Sequence, residues 1–284
     1  MSDESFCWDK EMQGTIGLGV AGNFAGHLEQ AGEASDFKDL KIADATAPKG
    51  VFPFYVPATG DHFLHCMPVS SDTLVLGSDD EKHQIEPEVA LLCDIIYEAD
   101  KVVELVPRFA MAHNDCSIRR EGARKISEKK NWGASTKGTS AQRVEIDRFA
   151  EGGVLDGYRL ACFLLRDGEL SDYGVDSAVT SYSYYGERLV DWLIEKMNGQ
   201  VDEGPLEDIP RWLDVAGRPA RALVSIGATR YTDFGETTFL KRGDVIAVVL
   251  YDAAQHDAET VRTFADGSRA AAQTGCSVLR QRVV

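Results

Sequence analysis

The sequence lacks three features that would assign it to a specialised class of protein. Nowhere do about 18 apolar residues follow one another, so no segment is long enough to cross a membrane as a helix. The formal net charge is −16 and no dense cluster of Lys or Arg offsets it, which argues against a nucleic acid as partner. The start, MSDESFCWDKEMQ, lacks the basic and apolar regions of a signal peptide. We therefore expect a cytoplasmic protein that binds neither membranes nor nucleic acids.

Cysteine patterns typical of disulfide frameworks and zinc sites are also missing. The six cysteines include no CxxC pair, so we expect reduced thiols, most of them in the core. In DHFLHC, residues 61–66, the prolines and glycine nearby predict an irregular or extended backbone, in which His62 and His65 do not converge on a metal. The cysteines are Cys7, Cys66, Cys93, Cys116, Cys162 and Cys276.

Composition and hydrophobic pattern indicate a strand-rich fold. With 284 residues and 44% hydrophobic content, the chain can bury a full core in one large domain or two smaller ones. Many short apolar runs alternate with 26 Gly and 9 Pro, which favours strands and turns over a helical bundle. The predicted strands are EPEVALLCDIIYEA, ELVPRFAMAHND, GYRLACFLLRDGEL, RALVSIGA and GDVIAVVLYD.

One amphipathic helix is predicted over residues 184–198, because apolar residues recur there at helical spacing. Its apolar stripe consists of Leu189, Trp192, Leu193 and Met197. We expect an N-terminal part over residues 1–78, a core over 79–254 and a C-terminal extension over 255–284. The extension is expected to contain a helix and a short appended strand.

The segment QIEPEVALLCD, residues 84–94, places two acids one residue apart at the head of an apolar run. In a strand the side chains of Glu86 and Glu88 point the same way, with α-carbons roughly 6.5 to 7 Å apart. If they are partly buried, each raises the pKa of the other unless a cation lies between them. Two interpretations are open: a metal site, or a strand start with acids in water and Pro87 at a sheet edge.

The segment GLGVAG matches the GxGxxG pattern of dinucleotide-binding folds at Gly17, Gly19 and Gly22. That pattern requires a buried strand before it, a long helix after it and an acid about twenty residues on. The preceding WDKEMQGTI is too polar for a central parallel strand, and further glycines interrupt the segment that follows, although Asp39 stands near the expected offset. An NAD-binding enzyme is therefore an alternative that the context of the pattern does not favour.

Five segments, in order, resemble motifs of the fumarylacetoacetate hydrolase superfamily. GVAGNFAGHLEQ resembles the segment that carries its active-site His, IEPEVALL its ExE strand, and AHNDCSIR its NDxSAR motif. EKKNWGAST resembles the segment with its substrate-facing Lys, and SIGATRYTDFG with LKRGDVIAVVLYD resembles its LTGTPxGVG motif and closing strand. The resemblance covers about residues 14–252. It implies a homodimer and a mixed α+β fold, a strand-rich β-sandwich roll with a small N-terminal part.

The resemblance also implies a metal-dependent hydrolase or lyase that acts on a small 2-oxo or β-diketo acid through a metal-stabilised enolate. The implied metal ligands are Glu86, Glu88 and Asp115. Three such oxygen ligands suit Mg²⁺, Mn²⁺ or Ca²⁺ and leave positions open for a bidentate substrate. The other implied site residues are His27, Gln30 and Lys130 for catalysis, and Arg119, Lys130 and Thr229 for substrate binding.

The sequence departs from the family at the position that activates water. The family's hydrolases often carry Glu three residues after the His, where this chain has Gln30. Glu29 and Glu33 do not stand at helical spacing from His27, so they do not simply replace it. We therefore expect an intact metal site with altered water activation, which favours enolate chemistry over hydrolysis. The alternative from another class is a non-catalytic protein that binds a metal and a 2-oxo acid.

Overall fold

Two β-sheets form the framework of this computed structural model, which confirms the strand-rich α+β fold expected from the sequence. The structure describes residues 8–38, 40, 44, 46–58, 60–120, 122–270 and 274–284. Cys7 and Asp39, which entered the sequence predictions, lie outside the described residues.

The strands and helices are short apart from one long hairpin and one three-turn helix. The strands are β1 (Thr15–Ala21), β2 (Gly50–Tyr55), β3 (Val69–Ser70), β4 (Thr73–Leu74), β5 (His83–Gln84), β6 (Pro87–Glu98), β7 (Lys101–Asn114), β8 (Ser117–Ile118), β9 (Lys137–Thr139), β10 (Val144–Glu145), β11 (Tyr158–Arg166), β12 (Glu169–Ala178), β13 (Arg221–Ser225), β14 (Val245–Asp252) and β15 (Cys276–Val283). The α-helices are α1 (Trp8–Glu11), α2 (His27–Gln30), α3 (Glu187–Gly199), α4 (Ile209–Val215), α5 (Asp233–Thr237) and α6 (Ala258–Asp266).

The larger sheet has the strand order β2-β1-β13-β6-β7-β9-β3, with β10 also paired to β7. Strand β6 is central in this sheet because it pairs antiparallel with both β13 and β7. The interpretation of Pro87 as an edge marker is therefore wrong. Pro87 is the first residue of β6, and a sheet tolerates proline at a strand start.

The smaller sheet has the order β12-β11-β14-β15-β4. The helix and strand predicted after residue 255 are α6 and β15. Strand β15 pairs antiparallel with β14 and parallel with β4, so the last residues of the chain complete this sheet.

The core follows the predicted alternation along β6. Val89 and Leu91 lie in the larger apolar cluster, whereas Ala90 and Leu92 lie in a second cluster on the opposite face of the strand. Four of the five described cysteines are buried, as expected, while Cys66 is exposed. The two faces of β6 thus have different environments, and the acids at its start share the face of Ala90.

The predicted amphipathic helix is α3, which begins at Glu187 rather than Tyr184. Gly186, with φ of 62°, precedes it, and all four residues of the predicted apolar stripe are buried against α4 and β7. None of the helices in the described part of the chain combines the length and apolar character that a membrane span requires.

The GxGxxG alternative is wrong, because Gly17 and Gly19 lie inside the buried strand β1 and the helix that follows has only four residues. A Cβ atom on Gly17 would lie 2.3 Å from the ring of Phe54, and one on Gly19 would lie 2.2 Å from the ring of Phe52. These glycines therefore make room for two phenylalanine rings rather than for a pyrophosphate.

Glu207 lies just before α4 in a cavity of about 140 Å³, where its side chain is almost completely buried. Burial raises the pKa of Glu207 to about 7, against the opposing effect of the Lys125 charge. The folded protein therefore binds this proton more tightly than the unfolded chain, whose Glu has a pKa near 4.5. Stability is lost as the pH rises from about 4.5 to about 7.

Glu207→Gln should remove this pH-dependent loss, because the amide stays neutral. Since each pKa unit corresponds to about 1.4 kcal/mol, the variant should exceed the wild type in unfolding free energy by up to about 3 kcal/mol at pH 8 and by less than about 1 kcal/mol at pH 5. Urea unfolding at both pH values measures this. Glu203→Gln, at an exposed position of the same segment, is the control for loss of one negative charge. Equal gains at the two pH values would contradict the assignment.

Candidate active site

Three carboxylates meet where β6 begins and β7 ends. The ladder between the two strands pairs Glu88 with His113, and the N–H of Asp115 donates to the carbonyl of Glu86 at 2.9 Å. Asp115 is thereby held beside the acids that share one face of β6. One carboxylate oxygen from each of Glu86, Glu88 and Asp115 lies within 4.8 Å of the other two, and all three side chains are buried. The structure thus brings together the three predicted metal ligands, hereafter the acidic triad.

Cations surround two members of the acidic triad. Lys130 Nζ lies 2.6 Å from Glu86 Oε2 and 2.5 Å from Asp115 Oδ2. Lys137 Nζ lies 3.0 Å from Asp115 Oδ1, and Arg119 Nη1 lies 2.8 Å from Glu86 Oε1. Every carboxylate oxygen of Glu86 and Asp115 therefore faces a cation. Although burial alone would raise the pKa of Glu86, the charges of Lys130 and Arg119 hold it well below its ordinary value.

Glu88 differs, because no Lys or Arg of the described residues forms an ion pair with it. Its Oε2 accepts a hydrogen bond from the N–H of Gly227 at 2.7 Å. Gly227 has φ of 114°, and a Cβ atom there would lie 2.9 Å from the Cβ of Asn23, so this approach requires glycine. Burial, reinforced by the charge of Asp115, raises the pKa of Glu88 well above its ordinary value. The acidic triad therefore lacks positive charge at Glu88.

The donors of the acidic triad fit a divalent cation. They are carboxylate oxygens, the ligands that Mg²⁺, Mn²⁺ and Ca²⁺ prefer. Glu86 Oε1 and both carboxylate oxygens of Asp115 are buried, and each forms an ion pair with a lysine or arginine. A divalent cation would use these oxygens and would supply the charge that Glu88 lacks. Ligand type and burial therefore suit such an ion.

His27 is held as a neutral base beside the acidic triad. Its Nδ1 lies 2.9 Å from the carbonyl oxygen of Thr229, and its ring centroid lies 5.1 Å from that of Tyr231. Because a carbonyl can only accept, Nδ1 carries the hydrogen and Nε2 of the neutral ring is left as the basic nitrogen. Burial lowers the pKa of His27, which keeps the ring neutral.

Gln30 and Thr229 are bound to backbone rather than to each other. The side chain of Gln30 accepts from the N–H of Tyr231 at 3.0 Å and donates to its carbonyl at 3.2 Å. The hydroxyl of Thr229 lies 3.5 Å from the carbonyl of Pro87. Both residues thus secure the loop that carries the hydrogen-bond partner of His27. Their predicted roles in catalysis and substrate binding stay predictions.

Glu33 lies close to His27 and the acidic triad, although helical spacing does not predict this position. Helix α2 ends at Gln30 and the chain reverses at Gly32, with φ of 70°, so helical spacing no longer applies at Glu33. Glu33 Oε1 lies 2.8 Å from Arg119 Nη1 and 2.9 Å from Lys129 Nζ. A carboxylate therefore does stand near His27, but it is paired with two cations.

Arg119 separates the acidic triad from an open pocket of about 570 Å³. Its Nε donates to Gln84 Oε1 at 2.6 Å and its Nη2 donates to the hydroxyl of Tyr231 at 2.9 Å, in addition to the contacts with Glu33 and Glu86. The pocket is lined by side chains of both charges, among them Glu29, Glu33, Lys82, Arg119, Lys129 and Glu236. A charged substrate would reach the acidic triad by displacing one arm of this Arg119 network.

The segment DHFLHC, residues 61–66, has the structural role expected from the sequence. Nδ1 of His62 accepts from the N–H of Leu64 at 3.3 Å, and its ring lies against Trp212. This hydrogen bond occupies Nδ1 of His62, and among the described residues the group close enough to share a metal is the acidic triad.

Comparison with known proteins gives a family and a fold. A family model described as Family of unknown function (DUF5718) matches residues 33–283. No curated protein matches the sequence. Several solved structures share the fold over almost the whole chain at low sequence identity, which confirms the fold that the sequence resemblance implied.

Three of these structures illustrate the similarity, and each aligns with 95% of this chain. Cg1458, solved with an inhibitor, is 15% identical over 77% of its length, with a TM-score of 0.53. The 5-carboxymethyl-2-hydroxymuconate delta-isomerase from Mycobacterium smegmatis is 14% identical over 78% of its length, with a TM-score of 0.50. A 2-keto-3-deoxy-D-arabinonate dehydratase complexed with magnesium and 2,5-dioxopentanoate is 12% identical over 73% of its length, with a TM-score of 0.50.

Proposed function

The chain belongs to the Family of unknown function (DUF5718), and from its fold and site we propose that it is a metal-dependent enzyme acting on a small 2-oxo acid. The observation that carries this proposal is the buried acidic triad of Glu86, Glu88 and Asp115. The dehydratase structure of the same fold that holds magnesium and a dioxo acid supports both the ion and the substrate class. We propose Mg²⁺, with Mn²⁺ or Ca²⁺ as alternatives.

The residues around the acidic triad suit proton transfer next to a 2-oxo group. A divalent cation bound there would polarise the oxo group and stabilise negative charge on its oxygen. Nε2 of His27 would take a proton from the neighbouring carbon and return it. Lys130 and Arg119 would neutralise the substrate carboxylate, and the hydroxyl of Thr229 would donate to it. These roles follow the assignment implied by the sequence resemblance.

Within the hydrolase and lyase classes, the site favours enolate chemistry such as decarboxylation, dehydration or tautomerisation. Hydrolysis of a carbon-carbon bond needs an activated water, and a carboxylate paired with the histidine would help to form it. Nδ1 of His27 is paired with a carbonyl instead, and the carboxylate of Glu33 is paired with Arg119 and Lys129.

A protein that binds a 2-oxo acid without turnover is the second candidate. It is favoured by His27, whose Nδ1 is paired with the carbonyl of Thr229 rather than with a carboxylate. A histidine-carboxylate pair would assist water activation, whereas binding of a 2-oxo acid does not require one. The homodimer implied by the resemblance and the cytoplasmic location implied by the composition remain predictions.

Turnover in the presence and absence of a divalent cation tests the proposed function. The purified full chain is assayed on an acylpyruvate and on a panel of 2-oxo and sugar-derived acids, with Mg²⁺ or with EDTA. We expect Mg²⁺-dependent loss of at least one 2-oxo acid and a melting temperature that Mg²⁺ together with oxalate raises, because the folded state alone has the site. Tight oxalate binding without turnover would favour the second candidate. No turnover and an unchanged melting temperature at millimolar Mg²⁺ with oxalate would contradict the proposal.

A further inference from the structure

The ammonium of Lys130 stands where a divalent cation of the acidic triad would bind. It lies 2.6 Å from Glu86 Oε2 and 2.5 Å from Asp115 Oδ2. Magnesium binds carboxylate oxygens at about 2.0 to 2.1 Å, so an ion bonded to the same two oxygens would be in direct contact with the ammonium. Two cations repel strongly at such a separation in a buried site. The ammonium and the metal therefore exclude each other at this pair of oxygens.

The second lysine at the acidic triad is anchored differently. Lys137 is fully buried and donates to the carbonyl of Cys116 at 2.5 Å, in addition to its ion pair with Asp115 at 3.0 Å. This short hydrogen bond holds Lys137 to a group that a metal would not use. The closest contacts of Lys130 are with the candidate ligand oxygens themselves, and its remaining hydrogen bond, to the carbonyl of Asp115, is long at 3.3 Å. Of the two lysines, Lys130 is the one that metal binding would displace.

The charges of the site also bear on when a metal can bind. Without metal, Arg119, Lys130 and Lys137 already form ion pairs with the carboxylates of Glu86 and Asp115. A divalent cation adds two positive charges to this arrangement. The carboxylate and the adjoining enolate oxygen of a 2-oxo acid would offset them.

We propose that Lys130 is a tethered counter-ion that holds the acidic triad closed, and that it yields its place when a divalent cation and an anionic 2-oxo acid bind together. This inference rests on the proposed function. Lys130 then sets the metal affinity of the free protein and makes the binding of metal and of substrate cooperative. Because such coupling is reciprocal, removing Lys130 weakens the effect of metal on substrate binding and the effect of substrate on metal binding by the same factor.

Titration of free Mn²⁺, followed by electron paramagnetic resonance, tests this with the full-length wild type, Lys130→Met and Lys129→Met. Lys129 is the matched control, because it pairs with Glu33 and Asp36 rather than with the acidic triad. We expect Lys130→Met to bind Mn²⁺ at least about tenfold more tightly than the wild type, and Lys129→Met to stay within about threefold. Oxalate should tighten Mn²⁺ binding at least about tenfold more in the wild type than in Lys130→Met.

Lys130→Gln, which keeps donors for both carboxylates but no charge, replaces Lys130→Met if thermal melting shows that the latter does not fold. If the wild type binds Mn²⁺ and the folded Lys130 variant binds it no more tightly, this inference is overturned. The proposed metal dependence then still stands. Absence of Mn²⁺ binding in every protein, with and without oxalate, overturns both.

Discussion

Glu88→Gln is expected to stabilise the metal-free protein and, at the same time, to abolish its Mg²⁺-dependent turnover. The two effects have one cause. The carboxylate of Glu88 has no ion-pair partner among the described residues and is repelled by Asp115, so its charge opposes folding when no metal is bound. Glutamine removes that charge, and its amide oxygen can still accept the hydrogen bond from the N–H of Gly227.

The expected magnitudes separate this variant from an ordinary core mutation. Removal of the buried charge should raise the unfolding free energy of the metal-free protein by about 1 to 2 kcal/mol at pH 8, which is a few degrees in melting temperature. Loss of one of three ligands should lower kcat/KM by at least about 10³-fold, since a metal acting as a Lewis acid contributes several kcal/mol. Melting in EDTA and in Mg²⁺, together with steady-state kinetics, measures both.

Asp115→Asn provides the contrasting case, and Glu104→Gln on the exposed side of β7 is the control. Asp115 faces Lys130 and Lys137, so its neutralisation leaves two buried ammonium groups poorly compensated and should destabilise the protein by about 3 to 5 kcal/mol. Both triad variants should lose turnover, but with opposite changes in stability. If Glu88→Gln instead lowered the metal-free stability as Asp115→Asn does, the charge distribution described here would be wrong.

The acids of the site could be predicted from local sequence, because strand alternation alone places Glu86 and Glu88 on one face. Asp115 could not be placed that way. Its position beside the two glutamates depends on the antiparallel register of β6 and β7. The sequence predicts it only through the resemblance of AHNDCSIR to a family motif. The amphipathic helix α3 was also predictable, since its apolar spacing is a local property.

The positions of the cations and of Glu33 at the site could not be predicted from local sequence. Lys137 lies on β9, which reaches the acidic triad because it pairs with the end of β7, and no pattern in STKGTS indicates that contact. Glu33 was judged by helical spacing, which fails because α2 ends at Gln30. The position of Lys130 between two carboxylates likewise depends on contacts between residues far apart in sequence. Contacts between residues far apart in sequence, together with the end of helix α2 at Gln30, therefore determine which charges surround the acidic triad.

The structure also changes what Gln30 implies about the reaction. From the sequence, Gln30 stands where the family's hydrolases carry the glutamate that helps to activate water. Both ends of the amide of Gln30 instead bond to the backbone of Tyr231, and His27 takes its orientation from the carbonyl of Thr229. Gln30→Glu would lose the bond to the carbonyl of Tyr231 and would place a second negative charge beside Glu236, so it should not restore a histidine-carboxylate pair.

His27→Asn is expected to lower kcat by about 10² to 10⁴-fold while leaving Mg²⁺ affinity nearly unchanged. The side-chain amide of asparagine can replace Nδ1–H as the donor to the carbonyl of Thr229, but it has no counterpart of the basic Nε2. The anchoring hydrogen bond is thereby kept and the base is removed, together with the ring contact to Tyr231. His65→Asn, at an exposed position, is the control and should retain full activity.

The substrate dependence of the same variant tests which reaction the site supports. Since Nδ1 of His27 is paired with a neutral carbonyl, an imidazolium at His27 would lack direct carboxylate stabilisation in either reaction, but a divalent cation would stabilise the enolate that forms when the proton leaves carbon. Wild-type turnover of 2-oxo acids through enolate chemistry should therefore exceed acylpyruvate hydrolysis, and His27→Asn should suppress the faster reaction. Side-by-side rates with Mg²⁺ measure this. Rapid acylpyruvate cleavage that persists in His27→Asn would mean that another group activates the water, and the role of His27 as base would have to be abandoned.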